Sequence, residues 1–505
     1  VEGAMTSALE DRYDDRIAGV LSCYDRVVIT GTLPTVCYAE GMTRFLFSNG
    51  IQIFKYPKFA MALRERVREQ VASIVADAGI TIEHIAKSHI RKEAVVAKVL
   101  EQRGDRPGLV HVLSAMEACP SYRPWHDKPS RKTFLRPDTG KCLHYYFYFM
   151  DADLGLVYLR VPTWAPFRLQ FYCNGHNWLA RQLTAEGIAF TMADNAFVRI
   201  DDWQRAQDLA DGFSPDLLHR VLDRYAAQCC PVLDVFDQTY HWSLMQTEYA
   251  TDLVFRSAAT LKPLYDQFAR ESVLNVKAEQ VATFLGHKIT PQLAQEVGSQ
   301  FSTRIEGTCI KHRFGSASVK MYDKFGCVLR IETTTNDVSF FKHHRKVEHR
   351  QGPATRGLAP VKKSIYSLID LREILFGCNR RYLEHLSALD DFSGGVRALD
   401  RVTRPRVIDD KTVKGINFFD PTDNALLRAL QNPRVNIAGI RRGDLIPMLD
   451  QLSPNRLSRQ LRRLRDIGVI KRVRGTYRYY LTRLGRAATA ALCAVTESVI
   501  IPAMT

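Results

Sequence analysis

The chain has 505 residues, and its 70 Lys and Arg against 54 Asp and Glu give a formal net charge of +16. An apolar fraction of 46% and a charged fraction of 25% are ordinary for a soluble globular protein. This length predicts two to four domains, and the positive charge favours a polyanionic partner. We find no long basic amphipathic helix with a bulky apolar face, so nucleic acid is favoured over a membrane surface.

The number and spacing of the cysteines indicate the cellular compartment. Eleven are scattered along the chain, and none forms a CxxC pair. An odd number without paired spacing predicts reduced thiols in a cytoplasmic protein and argues against a zinc site. No apolar run reaches about 18 residues, so we expect no membrane span and no membrane partner.

The first predicted domain, residues 10–140, alternates strands with helices, which indicates an α/β unit with a partly parallel sheet. A short apolar strand is expected over 26–33 and a helix over 92–103. The run 120–140 is predicted to be a loop. It interleaves basic and aromatic residues: Tyr122, Arg123, Trp125, Lys128, Arg131, Lys132 and Arg136. Such a loop could stack bases and neutralise phosphates, and a solvated loop is an equally good interpretation.

The second predicted domain, residues 141–300, begins with three antiparallel strands and a helix and continues as mostly helical sequence. On a helix predicted around EYATDLVF, Glu248 and Asp252 stand four residues apart and share one face. A metal-binding nuclease needs paired acids with a third nearby, so both are catalytic candidates. Two ordinary surface acids are the alternative.

The third region, residues 301–350, contains a predicted basic hairpin over 318–333. Alternation groups its charged and polar side chains by face: Lys320, Tyr322 and Lys324 on the first strand, Arg330 and Glu332 on the second. Such residues are costly to bury without pairing, so this face is expected to be exposed, salt-bridged or functional.

The pattern strand-YDK-turn-strand-LRIE resembles the replication-initiator proteins of rolling-circle plasmids and filamentous phages. The resemblance implies a metal-binding acid on the hairpin, which makes Glu332 the candidate ligand for Mg²⁺ or Mn²⁺. It also implies DNA contacts at Lys320, Tyr322 and Lys324. Tyr322 and Glu332 join the catalytic candidates, although the tyrosine that attacks DNA in those proteins cannot be placed here. The histidine pair flanking an apolar residue, which many such enzymes carry, is missing.

Residues 351–419 are predicted to form a basic linker with one helix, within a basic run that begins near residue 342. Arg345 and Lys346 lie in this run and are candidate nucleic-acid contacts.

The last predicted domain, residues 420–490, centres on an arginine-rich helix. Ser453 and Pro454 are typical of a helix start, and Gly468 of a helix end. The leucines form one apolar stripe: Leu457, Leu461 and Leu464. The polar residues expected to face outward or lie on the flank are Asn455, Arg456, Arg459, Arg462 and Arg463. Between residues 434 and 486, 14 Lys and Arg stand against three acids, an excess of 11.

A two-stranded hairpin follows this helix at once, and the order of elements resembles the MarR-type winged-helix family. The resemblance implies a helix in the major groove of DNA, contacting it through Asn455, Arg456, Arg459 and Arg463. The implied backbone contacts from the hairpin are Arg474, Tyr477 and Arg478. Winged helices of this type often work as dimers, so a homodimer is a candidate assembly.

The motifs FYCNGHNWLARQL, EYATDLVF and IKHRFGSASVKMYDK also resemble a family of bacterial proteins of about this length, some labelled transcriptional regulators from their last domain. That resemblance implies no activity. Our interpretation is a DNA-binding protein associated with a mobile element or gene regulation. Two alternatives stay open: a metal-dependent nuclease or replication or transposition enzyme, and a protein that binds structured or guide RNA, or single-stranded DNA.

Overall fold

The computed structural model describes residues 8–87, 89–287, 301–349, 352–390, 392–432, 439–449 and 451–504. It is 43% helix and 32% strand, which confirms the mixed α/β class with a large, mainly antiparallel sheet. The chain divides into two compact units, residues 1–386 and 387–505.

Most strands of the first unit form a single sheet. The strands of this unit are β1 (Ile17–Thr32), β2 (Ile82–His84), β3 (Gly108–Asp127), β4 (Lys132–Asp151), β5 (Gly155–Pro162), β6 (Leu169–Cys173), β7 (Phe190–Ala193), β8 (Ala196–Ile200), β9 (His241–Phe255), β10 (Phe301–Glu306), β11 (Cys309–Phe314), β12 (Ala317–Lys324), β13 (Val328–Thr335), β14 (Lys342–Val347) and β15 (Thr355–Pro360).

Eleven of these strands pair in the order β10-β11-β12-β13-β9-β1-β6-β5-β4-β3-β2. Among the described strands only β2 and β3 pair in parallel, so the predicted parallel character is confined to one edge of the sheet. Two pairs stay outside the large sheet, β7 with β8 and β14 with β15. Every residue of β13 is buried, which puts the middle of the sheet in the core.

Helices cover this sheet. They are α1 (Ala8–Arg12), α2 (Ala39–Ser48), α3 (Tyr56–Asp77), α4 (Lys92–Arg103), α5 (Gly175–Ala185), α6 (Trp203–Asp211), α7 (Pro215–Cys229), α8 (Leu233–Phe236), α9 (Ala258–Asn275), α10 (Ala278–Phe284) and α11 (Leu368–Asp390), which crosses the boundary between the units. Apolar residues at helical spacing explain why α3 packs along one side; Ala60, Leu63, Val67, Val71 and Val75 are buried.

Three predicted elements of the first unit are wrong. The segment EYATDLVF is part of β9 and not a helix, although Glu248 and Asp252 still share a face because an even spacing also puts strand residues on one side. The predicted loop 120–140 is the distal part of the β3–β4 hairpin. The basic run that begins near residue 342, predicted to lead into a linker, contains the β14–β15 hairpin. One sheet also joins the segments 10–140, 141–300 and 301–350, which the sequence analysis separates.

The second unit contains α12 (Phe392–Thr403), β16 (Arg406–Ile408), β17 (Lys411–Val413), α13 (Pro421–Leu430), α14 (Arg442–Leu445), α15 (Pro454–Asp466), β18 (Ile470–Arg472), β19 (Tyr479–Leu481), α16 (Arg483–Val495), a π-helical turn (Thr496–Ile500) and α17 (Ile501–Met504). The linker with one helix predicted over 351–419 therefore also contains α12 and a short hairpin. Residues 433–438 and 450 of the last predicted domain lie outside the described residues.

Helix α15 begins and ends where the sequence predicts. Ser453 Oγ accepts a hydrogen bond from the Arg456 amide, and Pro454 occupies the first turn. The three leucines of its stripe are buried in a shared core with residues of α13, α16 and β18. The order of helix and two-stranded hairpin agrees with the predicted winged helix, and membership of that family stays a prediction.

One helical segment of the described chain is long and apolar enough to cross a membrane. It spans Arg483–Met504, with a mean hydropathy of 1.6 in a window of which 17% is buried. A single helix of this kind does not decide whether the chain meets a membrane, so the expectation of no membrane partner stays a prediction.

Candidate functional site

Three central strands of the large sheet bring three acids together. Asp25 lies on β1, Glu248 on β9 and Glu332 on β13. One carboxylate oxygen from each residue lies within 4.8 Å of the others. We call these three residues the carboxylate cluster. Because β9 pairs with both β1 and β13, the sheet itself fixes their spacing.

An irregularity in β1 adds Asp25 to this cluster. The pairing of β1 with β9 shifts between Tyr24 and Arg26, so Asp25 has no opposite residue on β9. Tyr24 pairs with Tyr249, and Arg26 pairs with Glu248. Such an extra residue re-aims a side chain, and here a carboxylate oxygen of Asp25 lies within 4.8 Å of those of Glu248 and Glu332.

The start of α5 and the turn between β7 and β8 hold the Asp25 carboxylate. Its Oδ1 accepts hydrogen bonds from Asn195 Nδ2 at 2.6 Å and Asn174 Nδ2 at 3.3 Å. Asn174 also caps α5. Gly175 is required because a Cβ there would lie 2.4 Å from the Tyr24 carbonyl oxygen. The helix therefore starts close against β1, and Asn174 and His176 face Asp25.

A second group of buried ions, the arginine cluster, consists of Arg330, Asp252 and His176. Arg330 is fully buried and forms two hydrogen bonds of 2.6 Å to the Asp252 carboxylate. Its Nη2 also lies 3.0 Å from His176 Nε2, while His176 Nδ1 lies 3.2 Å from Asp25 Oδ1. The His176 ring thus lies between Arg330 and Asp25.

Arg330 keeps two neighbouring acids ionised. Burial raises the pKa of Asp25, but the Arg330 guanidinium and the hydrogen bond from His176 outweigh it, and the pKa of Asp25 falls well below its ordinary value. The same guanidinium lowers the pKa of Asp252 against the effect of burial. Arg330 Nη1 lies 3.4 Å from Asp25 Oδ1 and thus joins the two clusters electrostatically.

Glu248 and Glu332 share one cation. Lys320 Nζ donates to Glu332 Oε1 at 2.5 Å and to Glu248 Oε1 at 3.5 Å, and Tyr322 Oη donates to Glu332 Oε2 at 2.6 Å. Burial, together with the negative charge of Glu332, raises the pKa of Glu248 to about 7. Glu248 is therefore the member of the carboxylate cluster that exchanges a proton near neutral pH.

The donor set of the carboxylate cluster fits Mg²⁺ or Mn²⁺. Both are hard cations that prefer carboxylate oxygens, and three such oxygens from three rigid strands converge here. The Lys320 ammonium already contacts two of these carboxylates, so an ion would share Glu248 and Glu332 with it.

Four of the sequence-predicted residues lie in this site, three of them on the hairpin and Glu248 on β9. Glu248 and Glu332 are brought together, and Tyr322 and Lys320 contact Glu332. Asp252 shares the face but belongs to the arginine cluster, so it is not the partner of Glu248 that the spacing predicted.

Lys320 and Lys324, which the resemblance implies as DNA contacts, lie largely inside the protein, and the hairpin face is salt-bridged, one of the three states expected of it. Their side chains are 16% and 15% exposed, and Lys320 is held by two carboxylates. Lys324 Nζ lies 3.8 Å from Asp194 Oδ2, and burial with the nearby Arg330 charge lowers the pKa of Lys324.

The arginine-rich face of α15 is largely as predicted. Asn455, Arg456, Arg459 and Arg462 are exposed on the side away from the buried leucines. Arg463 is the exception, and its predicted outward orientation is wrong. Its guanidinium pairs with both Asp423 carboxylate oxygens at 2.7 and 2.9 Å, and its Nε donates to the Lys414 carbonyl at 2.8 Å. Arg463 thus holds α15 to the start of α13.

The remaining predicted contacts differ in exposure. Arg474 and Tyr477 are exposed between β18 and β19, with Tyr477 at 80%, and Arg478 is half-buried. In the β14–β15 hairpin, Lys346 is exposed, and Arg345 is half-buried with its Nε donating to the Pro360 carbonyl at 2.9 Å.

Sequence reasoning missed Asp25 and His176. The available signal for Asp25 was an ionisable residue inside the apolar run CYDRVVIT, because a charge in a buried strand must be paired or functional. For His176 the signal was a polar NGHN segment between a strand and a helix. Neither signal names a partner, since the partners lie far away along the chain.

Comparisons with known proteins leave family membership open: no protein-family model matches the chain, and no curated protein and no solved structure matches it either.

Proposed function

We propose that this protein binds nucleic acid, with duplex DNA held by α15 of the second unit. The observation that carries the proposal is the row of exposed Asn455, Arg456, Arg459 and Arg462 opposite three buried leucines. Guanidinium groups match the acceptor edges of guanine and the phosphate oxygens, and the buried stripe holds them in a fixed row.

The charge of the surrounding chain supports this proposal. The positive excess of the whole protein is concentrated between residues 434 and 486. The described arginines of α15 other than Arg463 and Arg465 make no ion pair within 4.0 Å in the described part of the second unit. Free guanidinium groups on one helix face are available to phosphates, and binding of this kind depends strongly on salt.

The double variant Arg459→Ala/Arg462→Ala tests the proposal. We expect it to lower the affinity for a duplex oligonucleotide at least tenfold at low salt, because it removes two guanidinium groups that face phosphates or bases. Fluorescence anisotropy with a labelled duplex measures the change.

The matched control is Arg44→Ala/Arg199→Ala, which removes the same charge from the first unit, where both side chains are more than 60% exposed. Its affinity should stay within about twofold of the wild type if binding is local. Unchanged binding by the α15 variant, or equal loss in both variants, contradicts a specific α15 surface.

A second candidate function is metal-dependent cleavage or transfer of phosphodiester bonds at the carboxylate cluster. The specific observation is the convergence of Asp25, Glu248 and Glu332 within 4.8 Å. When bound by such oxygens, Mg²⁺ or Mn²⁺ supplies Lewis-acid polarisation of a phosphoryl oxygen.

The residues of the chain prepare the cluster for an ion. Glu248, whose pKa is about 7 without an ion, would release its proton near neutral pH when it binds one. Lys320 and Tyr322 hold Glu332 in position through hydrogen bonds to its two oxygens. Arg330 keeps Asp25 ionised.

This candidate is tested by incubating labelled single-stranded DNA, duplex DNA and RNA with the protein and Mg²⁺ or Mn²⁺. Glu332→Gln should abolish any cleavage and weaken Mn²⁺ binding, which electron paramagnetic resonance measures without substrate. Glu306→Gln is the control, because Glu306 is an exposed acid on β10. No product with any substrate, together with equal Mn²⁺ binding by both variants, contradicts the candidate.

A further inference from the structure

The β3–β4 hairpin extends beyond the large sheet as a two-stranded arm. Strand β5 pairs with β4 only from His144 onward, and β2 pairs with β3 only at residues 112–114. From residue 116 to 143, therefore, the two strands pair only with each other among the described strands. We call residues 120–140 the arm.

One face of the arm is fixed to the body of the first unit. Tyr122 is buried, and its hydroxyl donates to the Val36 carbonyl at 2.9 Å. Leu135 is also buried, and its amide donates to Thr43 Oγ1 of α2 at 3.0 Å. The arm is thus held in place on one side, and alternation turns the intervening residues to the other side.

The other face combines two arginines with two aromatic rings. Arg123 pairs directly with Arg136, and Trp125 pairs with Phe134. The Arg136 guanidinium carbon lies 4.1 Å from the Trp125 ring centre, and that of Arg123 lies 5.7 Å from it. Both guanidinium groups therefore lie against the indole.

Neither guanidinium group is paired directly with a carboxylate. Among the described residues, the side chains of Arg123 and Arg136 form no ion pair within 4.0 Å and no hydrogen bond, and Asp127 acts on Arg136 only from a greater distance. Like charges directly opposite each other on paired strands are unfavourable. The arm as a whole carries five Lys and Arg against two Asp. Asp127 is engaged by the Ser130 amide, and Asp138 by the Thr139 amide.

We infer that this face of the arm binds single-stranded nucleic acid, with a phosphate between Arg123 and Arg136 and a base stacked on Trp125. Phosphate supplies the missing negative charge. Movement of Arg136 toward it uncovers the indole for a base, which only an unpaired strand can present. An acidic protein segment would satisfy the arginines but leave the aromatic pair without a role. The inference rests on the proposed function and adds a second, single-strand contact in the first unit.

The test measures the affinity of the full chain for labelled dT20, rU20 and a duplex by anisotropy. Arg123→Ala/Arg136→Ala should lower affinity for the single strands at least tenfold and leave duplex affinity within threefold. Trp125→Ala should lower single-strand affinity at least fivefold, and Trp125→Phe should retain most of it because stacking is kept. The ratio of the affinities for dT20 and rU20 shows whether the arm prefers single-stranded DNA or RNA.

Arg44→Ala/Arg199→Ala serves as the charge-matched control, and circular dichroism establishes that each variant is folded. Unchanged single-strand binding by Arg123→Ala/Arg136→Ala overturns the inference, as does a loss equal to that of the control. Equal loss of duplex and single-strand binding also overturns it. The proposed function fails separately, when Arg459→Ala/Arg462→Ala leaves duplex affinity unchanged.

Discussion

Glu248 has a raised pKa that should make the stability of the protein depend on pH near neutrality. Its pKa is raised from 4.5 to about 7, first by burial and then by the charge of Glu332. The folded chain thus binds this proton more tightly than the unfolded chain does. The stability that Glu248 contributes is present below pH 4.5 and is lost as the pH rises to about 7.

We therefore expect Glu248→Gln, which cannot ionise, to gain stability relative to the wild type as the pH rises from about 4.5 to 7.5. The relative gain should be roughly 1–3 kcal/mol in the free energy of unfolding. Urea unfolding at several pH values measures it. Asp25 and Asp252 do not interfere, because acids with lowered pKa values lose their contribution only in the more acidic range.

The exposed Glu306→Gln variant is the reference for this measurement. A difference between Glu248→Gln and the wild type that stays constant with pH would contradict a raised pKa at Glu248.

At the scale of elements, α15 is held by a pair that the helical pattern could not distinguish from its neighbours. Arg462 and Arg463 are adjacent and chemically identical, yet Arg462 is exposed and Arg463 is paired with the buried Asp423. A helical wheel assigns a direction to each residue but does not show which partner lies beside it.

Arg463→Ala should destabilise the second unit by about 3 kcal/mol, because it leaves the Asp423 carboxylate buried without its partner. Arg462→Ala should change the free energy of unfolding by less than about 0.5 kcal/mol, since that side chain is exposed. Hydrogen exchange of the α15 peptide, followed by mass spectrometry, compares the two. Equal protection in both variants would show that the pair does not hold the helix.

The elements that were predicted correctly are those defined by local signals. Helix α4 has the predicted bounds, Lys92–Arg103, because a glycine follows its last residue. The prediction of a helix at EYATDLVF is wrong because the four-residue spacing of Glu248 and Asp252 puts both on one face of a helix and also on one face of a strand. The arm was mistaken for a loop because its prolines and charges are typical of turns, whereas its pairing is set by β3 and β4 together.

In the candidate site, too, the features set by local sequence were predicted and those set by strand order were not. Glu248 and Glu332 were identified from residue type and pattern, but their convergence with Asp25 depends on the order β13-β9-β1. Asp25 and Glu332 lie more than 300 residues apart in the chain. A local pattern covers only a few neighbouring residues and cannot show which distant residues meet in the fold. The site as a whole could therefore not be predicted from the sequence.

At the scale of the whole molecule, the net charge of +16 attracts any polyanion, and the question is whether binding is local. The slope of log affinity against log salt concentration measures how many phosphates the protein neutralises. Arg459→Ala/Arg462→Ala should make that slope for duplex DNA shallower by about two, because each neutralised phosphate contributes roughly 0.9 to it.

The charge-matched Arg44→Ala/Arg199→Ala variant should keep the wild-type slope. Equal slopes in all three proteins would mean that the overall charge, and not the face of α15, is responsible for binding.

The irregular pairing at Asp25 makes the length of β1 a fixed property of the molecule. Deleting Asp25 would remove the bulge, because Tyr24 and Arg26 already pair with the consecutive residues Tyr249 and Glu248, and it would take the third carboxylate out of the cluster. Inserting a residue there would shift the Asp25 side chain away from Glu248 and Glu332. Natural variation in this strand should therefore exchange one amino acid for another and leave the spacing from Ile17 to Thr32 unaltered.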